Sequence, residues 1–119
     1  MKVWLGMTTM LRIVMTSGIL LAATSSVSAQ DSNAAAGEKV YVEQKCGICH
    51  SVAGKGNQKG PLDDVGGKLT SDEIRLWMTD AKGMTAKTKA TRKPPMREYN
   101  LPNDQLDALV GYLSTLKKQ

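Results

Sequence analysis

The five residues Cys46-Gly47-Ile48-Cys49-His50 govern the fold of this 119-residue chain. They include both cysteines and the single histidine of the sequence. On a helix, the cysteines are three residues apart and the histidine lies four residues after the first, so both sulfurs and the imidazole project from one face. The two cysteines and one histidine are three ligands of the kind that zinc prefers, too few for a four-ligand structural zinc site built from this chain alone. Two cysteines also exclude a disulfide-dense scaffold.

This spacing predicts the covalent attachment of a c-type haem. Cys46 and Cys49 would form the two thioether bonds, and His50 would bind the iron. A thioredoxin-like redox pair is one alternative, but it needs strands around a βαβ unit, and the chain has no β-branched runs to form them. A disulfide between the two cysteines is another, but it leaves the scarcity of core residues unexplained. We therefore interpret the motif as the site of one haem c with its iron.

The composition is that of a single small domain with little material for a core. The chain is 41% hydrophobic and 23% charged, but only 4% aromatic, with no phenylalanine. A domain of about 90 residues buries only ~60–65% of its unfolded surface. Small domains of this kind usually gain stability from disulfides or a cofactor.

Residues 1–29 have the order of a cleavable secretory signal. A basic start with Lys2 and Arg12 and no acidic residue precedes an apolar stretch, residues 13–23, and small residues end at Ala29. Such a signal directs export, and we expect a periplasmic location.

A retained membrane anchor is the alternative interpretation, because residues 3–23 approach the roughly 20 residues that span a bilayer. Arg12 in its middle argues against it, since a charge at the bilayer centre costs about 2.5–3.5 kcal/mol. We therefore predict cleavage after Ala29. One domain remains over residues 30–119, with 14 basic and 11 acidic residues and no membrane span.

Three segments have helical periodicity and none reads convincingly as a strand, which predicts an all-α fold. The first segment runs from Ala34 to about Cys49. The second begins with a capping box of Thr70 and Glu73. Apolar residues follow at helical spacing, namely Ile74, Trp77, Met78 and Ala81.

The third segment follows Pro102, with Asn103 as its expected N-cap. Its apolar face consists of Leu106, Leu109, Val110, Leu113 and Leu116. Two long connections, residues 51–68 and 82–101, separate the three segments. Structureless loops of this length are unusual in so small a domain, so we expect them to wrap around a non-protein group.

The second axial ligand of the iron cannot be a histidine, because His50 is the only one. Methionine, lysine or an open position remain. Met78 lies on the apolar stripe of the second helix, where it is better explained as core. Met84 follows a glycine in a loop and is a weaker candidate. Met96 follows Pro94-Pro95, whose fixed φ angles stiffen an extended loop, so we favour Met96.

From Ala34 to Lys117 the sequence resembles the class I monohaem c-type cytochromes. In that family the N-terminal and C-terminal helices cross at contacts between a small residue and aromatic rings. The corresponding residues here are Gly37 and Tyr41 against Tyr112. The resemblance implies a small cytochrome c-like fold of three or more helices, with long loops around one covalently bound haem.

The family also places Gly-Pro-Leu after the haem motif, which matches Gly60-Pro61-Leu62. The resemblance implies that the carbonyl of Pro61 accepts a hydrogen bond from Nδ1 of His50, which would fix its tautomer. Trp77 resembles the family tryptophan near the haem propionates. Relatives often have proline or alanine after the axial methionine, whereas Arg97 follows Met96 here.

The resemblance implies a one-electron carrier with His/Met ligation, without catalytic residues of its own. We expect a shuttle or an acceptor subunit for a periplasmic oxidoreductase. The alternative is a haem enzyme or gas-binding sensor with an open sixth iron position. For that alternative the sequence offers no distal histidine or arginine placed by a motif.

Six basic residues follow Asp80 within 16 positions that contain no acidic residue, and we call them the basic segment: Lys82, Lys87, Lys89, Arg92, Lys93 and Arg97. Such a run is commonly a solvated surface. It also leads into the expected ligand loop, where it would steer an acidic redox partner. Nucleic acid is not an expected partner, because an exported chain without interleaved aromatic residues lacks the usual features.

Overall fold

The computed structural model describes residues 29–118, with side chains from residue 33 onward. Helix α1 spans Ala29–Glu43, and a 3-10 turn, the motif turn, spans Cys46–Ile48. The remaining elements in chain order are β1 (Ser51–Val52), β2 (Lys55–Gly56), α2 (Val65–Lys68), α3 (Ser71–Thr79), α4 (Ala81–Thr88) and α5 (Asn103–Thr115). The predicted all-α class is confirmed, because the strands of the described part are limited to one hairpin of two two-residue strands.

The predicted signal, residues 1–29, lies outside the described residues except for its last member, Ala29, which begins α1. Within the described part, no helix has both the length and the apolar character needed to cross a membrane.

Helices α1 and α5 cross in close contact, and this crossing frames the domain. Gly37 is buried there, and a Cβ atom on it would lie 2.5 Å from Cβ of Tyr112 and 2.7 Å from the carbonyl carbon of Ala108. The rings of Tyr41 and Tyr112 meet edge to face, with centroids 6.0 Å apart. The glycine and aromatic contact that the resemblance implied is therefore present.

The core lies between α1, α3 and α5. Its buried members are Val40, Tyr41, Ile74, Met78, Leu106, Leu109, Val110 and Leu113. Met78 is 6% exposed and belongs to this core, as predicted.

The first helix differs from the prediction at its carboxyl end. It ends at Glu43 rather than near Cys49, because Lys45 adopts a left-handed backbone with φ of 57°. This conformation ends an α-helix. Cys46 and Cys49 therefore lie on the motif turn, where the amides of Cys49 and His50 both donate to the carbonyl of Cys46, at 3.1 and 2.9 Å.

The capping box predicted for α3 is present. The amide of Glu73 donates to Oγ1 of Thr70 at 3.2 Å, and the amide of Thr70 donates to Oε2 of Glu73 at 2.9 Å. The apolar stripe is divided between two helices, because α3 ends at Thr79 and Asp80 separates it from α4. The Asp80 carboxylate accepts from the amide of Gly83 at 3.0 Å and caps α4.

Both predicted loops are more ordered than expected. Residues 51–68 contain the hairpin and α2, and residues 82–101 begin with most of α4. Met84 consequently lies on a helix, where it is 3% exposed. At the last helix, Pro102 rather than Asn103 is the N-cap, because its carbonyl accepts the first helical bond, from Leu106 at 2.9 Å.

We expect Gly37→Ala to lower the free energy of unfolding of the haem-loaded protein by about 1–3 kcal/mol, because the new methyl group would force α1 and α5 apart. Gly111→Ala is the matched control on α5, since a Cβ atom there meets nothing within 4 Å. It should raise stability by about 0.5–1 kcal/mol through helix propensity. Denaturant unfolding measures both changes, and equal effects of the two substitutions would contradict the crossing contact.

Candidate haem-binding site

A cavity of about 730 Å³ lies among α1, the motif turn, α3 and α5, and residues 89–102, which we call the methionine segment. Its walls are predominantly apolar, with Ile74, Leu109 and Leu113 from the core forming part of the lining. The volume is in the range of about 300–1,000 Å³ found for small-molecule and cofactor sites. The cavity is thus an apolar pocket next to a core that contains few aromatic residues.

The structure brings four of the predicted site residues to this cavity: Cys46, Cys49, His50 and Met96. Both cysteines are free thiols, Cys46 half-buried and Cys49 exposed. The pKa of the Cys46 thiol is raised, chiefly by burial. Two free sulfurs, an imidazole and a thioether therefore face one pocket.

His50 is held by a backbone carbonyl, but one residue earlier than expected. Its Nδ1 lies 3.1 Å from the carbonyl oxygen of Gly60, not of Pro61. The amide of Ser51 donates to the same Gly60 carbonyl at 3.1 Å, and the amide of Leu62 donates to Ser51 at 2.8 Å. This parallel pairing of Ser51 with the loop turns the Gly60 carbonyl towards the imidazole.

The protonation of His50 suits a metal ligand. Because a carbonyl only accepts, Nδ1 carries the hydrogen in this contact, and Nε2 is left with its lone pair. Burial lowers the pKa of His50, the Gly60 carbonyl opposes this effect, and the nearby Arg92 guanidinium lowers the pKa further. The neutral imidazole is therefore favoured.

The methionines of the described residues differ in where they lie relative to the cavity. Met78 and Met96 line the cavity, whereas Met84 is not among its lining residues. Met78 is buried in the core and Met96 is half-buried in the methionine segment. The placement of Met84 on α4, capped by Asp80, removes it from the site.

Tyr41 provides a further test of whether the residues fit a cofactor. Its side chain lines the cavity, and its hydroxyl is buried without a hydrogen-bond partner among the described residues. A buried hydroxyl left unpaired costs about 1–3 kcal/mol. An unpaired polar atom at an apolar cavity, together with two thiols and a histidine whose Nδ1 is engaged, fits a large group with a polar periphery.

The basic segment is only partly at the cavity. Arg92 and Arg97 line it, whereas the four lysines are exposed and do not. Arg92 donates to the carbonyl of Cys49, a contact that sequence reasoning missed. The basic segment was the sequence feature that drew attention to Arg92. A run of charged residues does not reveal which backbone carbonyl a side chain contacts 43 residues away.

Residues 34–117 match the family model for cytochrome c. The chain belongs to the cytochrome c family. No curated protein and no solved structure matches it significantly. Membership implies a covalently bound haem c with iron and a role in electron transfer, which agrees with the Cys46 and Cys49 thiols at the cavity. The matched range includes every residue of this cytochrome placed at the cavity above.

Burial raises the pKa of Tyr41 from 10.0 to about 12. Between these values the unfolded phenol loses its proton while the folded phenol keeps it, so stability falls as pH rises. Tyr41→Phe removes this loss. We expect the difference in free energy of unfolding between variant and wild type to be constant below pH 10 and to grow in favour of the variant above it. A difference that is independent of pH up to 12 would contradict this assignment.

Proposed function

We propose that this cytochrome is a periplasmic one-electron carrier with one haem, whose axial ligands are His50 and Met96. Cys46 and Cys49 are the covalent anchors, and the carrier serves as a shuttle or acceptor subunit for an oxidoreductase. When bound, the haem supplies a one-electron couple between ferric and ferrous iron. The observation that supports the proposal most directly is that His50 and Met96 line the same cavity while Met84 lies outside it.

The residues around the cavity serve such a carrier in different ways. The Gly60 carbonyl orients the imidazole of His50 and increases its basicity. Pro94-Pro95 stiffen the chain immediately before Met96. A methionine thioether as ligand raises the reduction potential.

The apolar walls exclude water from the site. Ile74 and Leu109 are each 1% exposed, and Leu113 is 2% exposed. A dry and closely packed surrounding reorganises little when charge changes, which favours fast electron transfer. Trp77, half-buried at the cavity wall, is proposed to lie near the haem propionates.

Periplasmic location is proposed from the order of residues 1–29: a basic start, an apolar middle and small residues at the end. Export to an oxidising compartment also suits a chain whose two cysteines are committed to a cofactor.

We expect Met96→Leu to abolish the weak sulfur-to-iron absorption band of the oxidised protein and to let carbon monoxide bind the reduced protein readily. Leucine keeps the apolar volume but has no sulfur to bind iron. Optical spectra of the oxidised and reduced forms, before and after carbon monoxide, measure both effects.

Met84→Leu is the matched control, because Met84 is buried but does not line the cavity. It should leave the band and the response to carbon monoxide unchanged. If wild type lacks the band, or binds carbon monoxide as readily as Met96→Leu, the sixth position is open. The haem enzyme or gas-binding sensor then becomes the better interpretation.

The partner we propose is a redox protein with an acidic docking surface. Arg92 and Arg97 are at the cavity, and exposed lysines adjoin them in sequence on α4 and the methionine segment. Positive charge beside the site of electron exit increases the encounter rate with anions.

The reduced cytochrome should therefore be oxidised by hexacyanoferrate(III), an anion that accepts one electron, at a rate that falls as ionic strength rises. Lys93→Glu should slow this reaction at low salt by about two- to threefold. Lys118→Glu is the control with the same charge change outside the basic segment. Stopped-flow kinetics measure the rates, and a rate indifferent to salt, or equal slowing by both variants, would contradict an electrostatic docking surface here.

A further inference from the structure

The methionine segment has few hydrogen bonds of its own. Its residues 91–98 make no backbone hydrogen bond within the described part of the chain. The cavity wall that contains Met96 is therefore held by side chains and by the ends of the segment, and not by regular secondary structure.

Two hydrogen bonds, which we call the first and the second tie, hold the segment on either side of Met96. Four residues before it, the guanidinium of Arg92 donates to the carbonyl of Cys49. Three residues after it, the amide of Tyr99 donates to the carbonyl of Met78 at 2.8 Å. The guanidinium of Arg97 also lies 4.8 Å from the centre of the Tyr99 ring, a cation–π contact that supports the second tie.

The first tie reaches the backbone that positions His50. The Cys49 carbonyl is covalently joined to His50, and Gly60 provides the carbonyl that accepts from its Nδ1. A Cβ atom on Gly60 would lie 2.7 Å from Cζ of Arg92, so the guanidinium rests directly on this glycine. One side chain thus touches both backbone segments that hold the imidazole.

Arginine is suited to this place. Its planar guanidinium has several donors in fixed directions and can lie flat over a glycine while it bonds a carbonyl. A lysine ammonium is a compact point charge and cannot do both.

We propose that Arg92 is a positioning residue that holds the methionine segment against the haem motif, and so keeps Met96 at the cavity. Its effect on the iron rests on the proposed His50 and Met96 ligation, whereas its effect on the position of the segment does not.

Arg92→Met tests the proposal in the haem-loaded protein, because it keeps the length of the side chain and removes the donors. Lys93→Met is the matched control, with the same loss of charge at an exposed neighbour that makes no such contact in the described structure. We expect hydrogen–deuterium exchange at the Tyr99 amide to become about tenfold faster in Arg92→Met, equivalent to about 1.4 kcal/mol. The reduced protein should bind carbon monoxide faster by a similar factor, and Lys93→Met should resemble wild type in both measurements.

Equal exchange rates in Arg92→Met and Lys93→Met would overturn the proposal. If wild type itself binds carbon monoxide readily, Met96 ligation fails, and the exchange comparison still decides the role of Arg92. Arg92→Lys retains the positive charge but not the planar set of donors. We therefore expect the Tyr99 amide to exchange faster in this variant than in wild type. If Arg92→Met yields no haem-loaded protein, Arg92→Lys becomes the deciding variant, and wild-type exchange in it would contradict the proposal.

Discussion

The backbone of Gly60 is the point at which the separate parts of the site are joined. Its carbonyl accepts from Nδ1 of His50 and from the amide of Ser51, both at 3.1 Å. Its missing side chain leaves room for the guanidinium of Arg92. The motif turn, the loop that follows the hairpin, and the methionine segment therefore meet at one residue. A partly buried carbonyl with two donors is well satisfied, so this contact holds the imidazole in a fixed orientation.

The helical frame around this junction leaves a pocket that protein side chains do not fill. The crossing of α1 and α5 brings Gly37 within contact of Tyr112, and the core extends from there to α3. A chain with no phenylalanine has little bulk with which to close the space beyond Leu109 and Leu113. An apolar cavity of this size is unfavourable when empty, so a covalently held cofactor contributes to stability as well as to function.

Charge is distributed unevenly about the pocket. Basic side chains approach it from the methionine segment, where Arg92 and Arg97 are found, while its walls are apolar. Burial of His50 and, to a smaller extent, the cation of Arg92 lower the pKa of the imidazole and favour its neutral form, which is the form that binds metals. The same guanidinium thus acts on His50 through its charge and on the methionine segment through its hydrogen bond.

Features that depend on neighbours a few residues apart could be predicted from the residue types and their spacing. Cys46, Cys49 and His50 were identified by spacing, and the capping box of Thr70 and Glu73 by two residue types three positions apart, because such contacts form within one turn of chain. The buried face of α5 followed from its helical period in the same way. All of these residues lie within the range 34–117 that matches the cytochrome c family.

Contacts between residues far apart in sequence depend on how the chain folds. Gly60 rather than Pro61 holds His50, because the pairing of Ser51 with the loop sets the direction of each carbonyl. Met84 lies on α4, which Asp80 caps, and it does not line the cavity. Arg92 contacts the carbonyl of Cys49, which is 43 residues away in sequence. Every residue has a backbone carbonyl, so the residue type does not predict which donor that carbonyl will accept from. The donor that pairs with each carbonyl depends on the path of the folded chain.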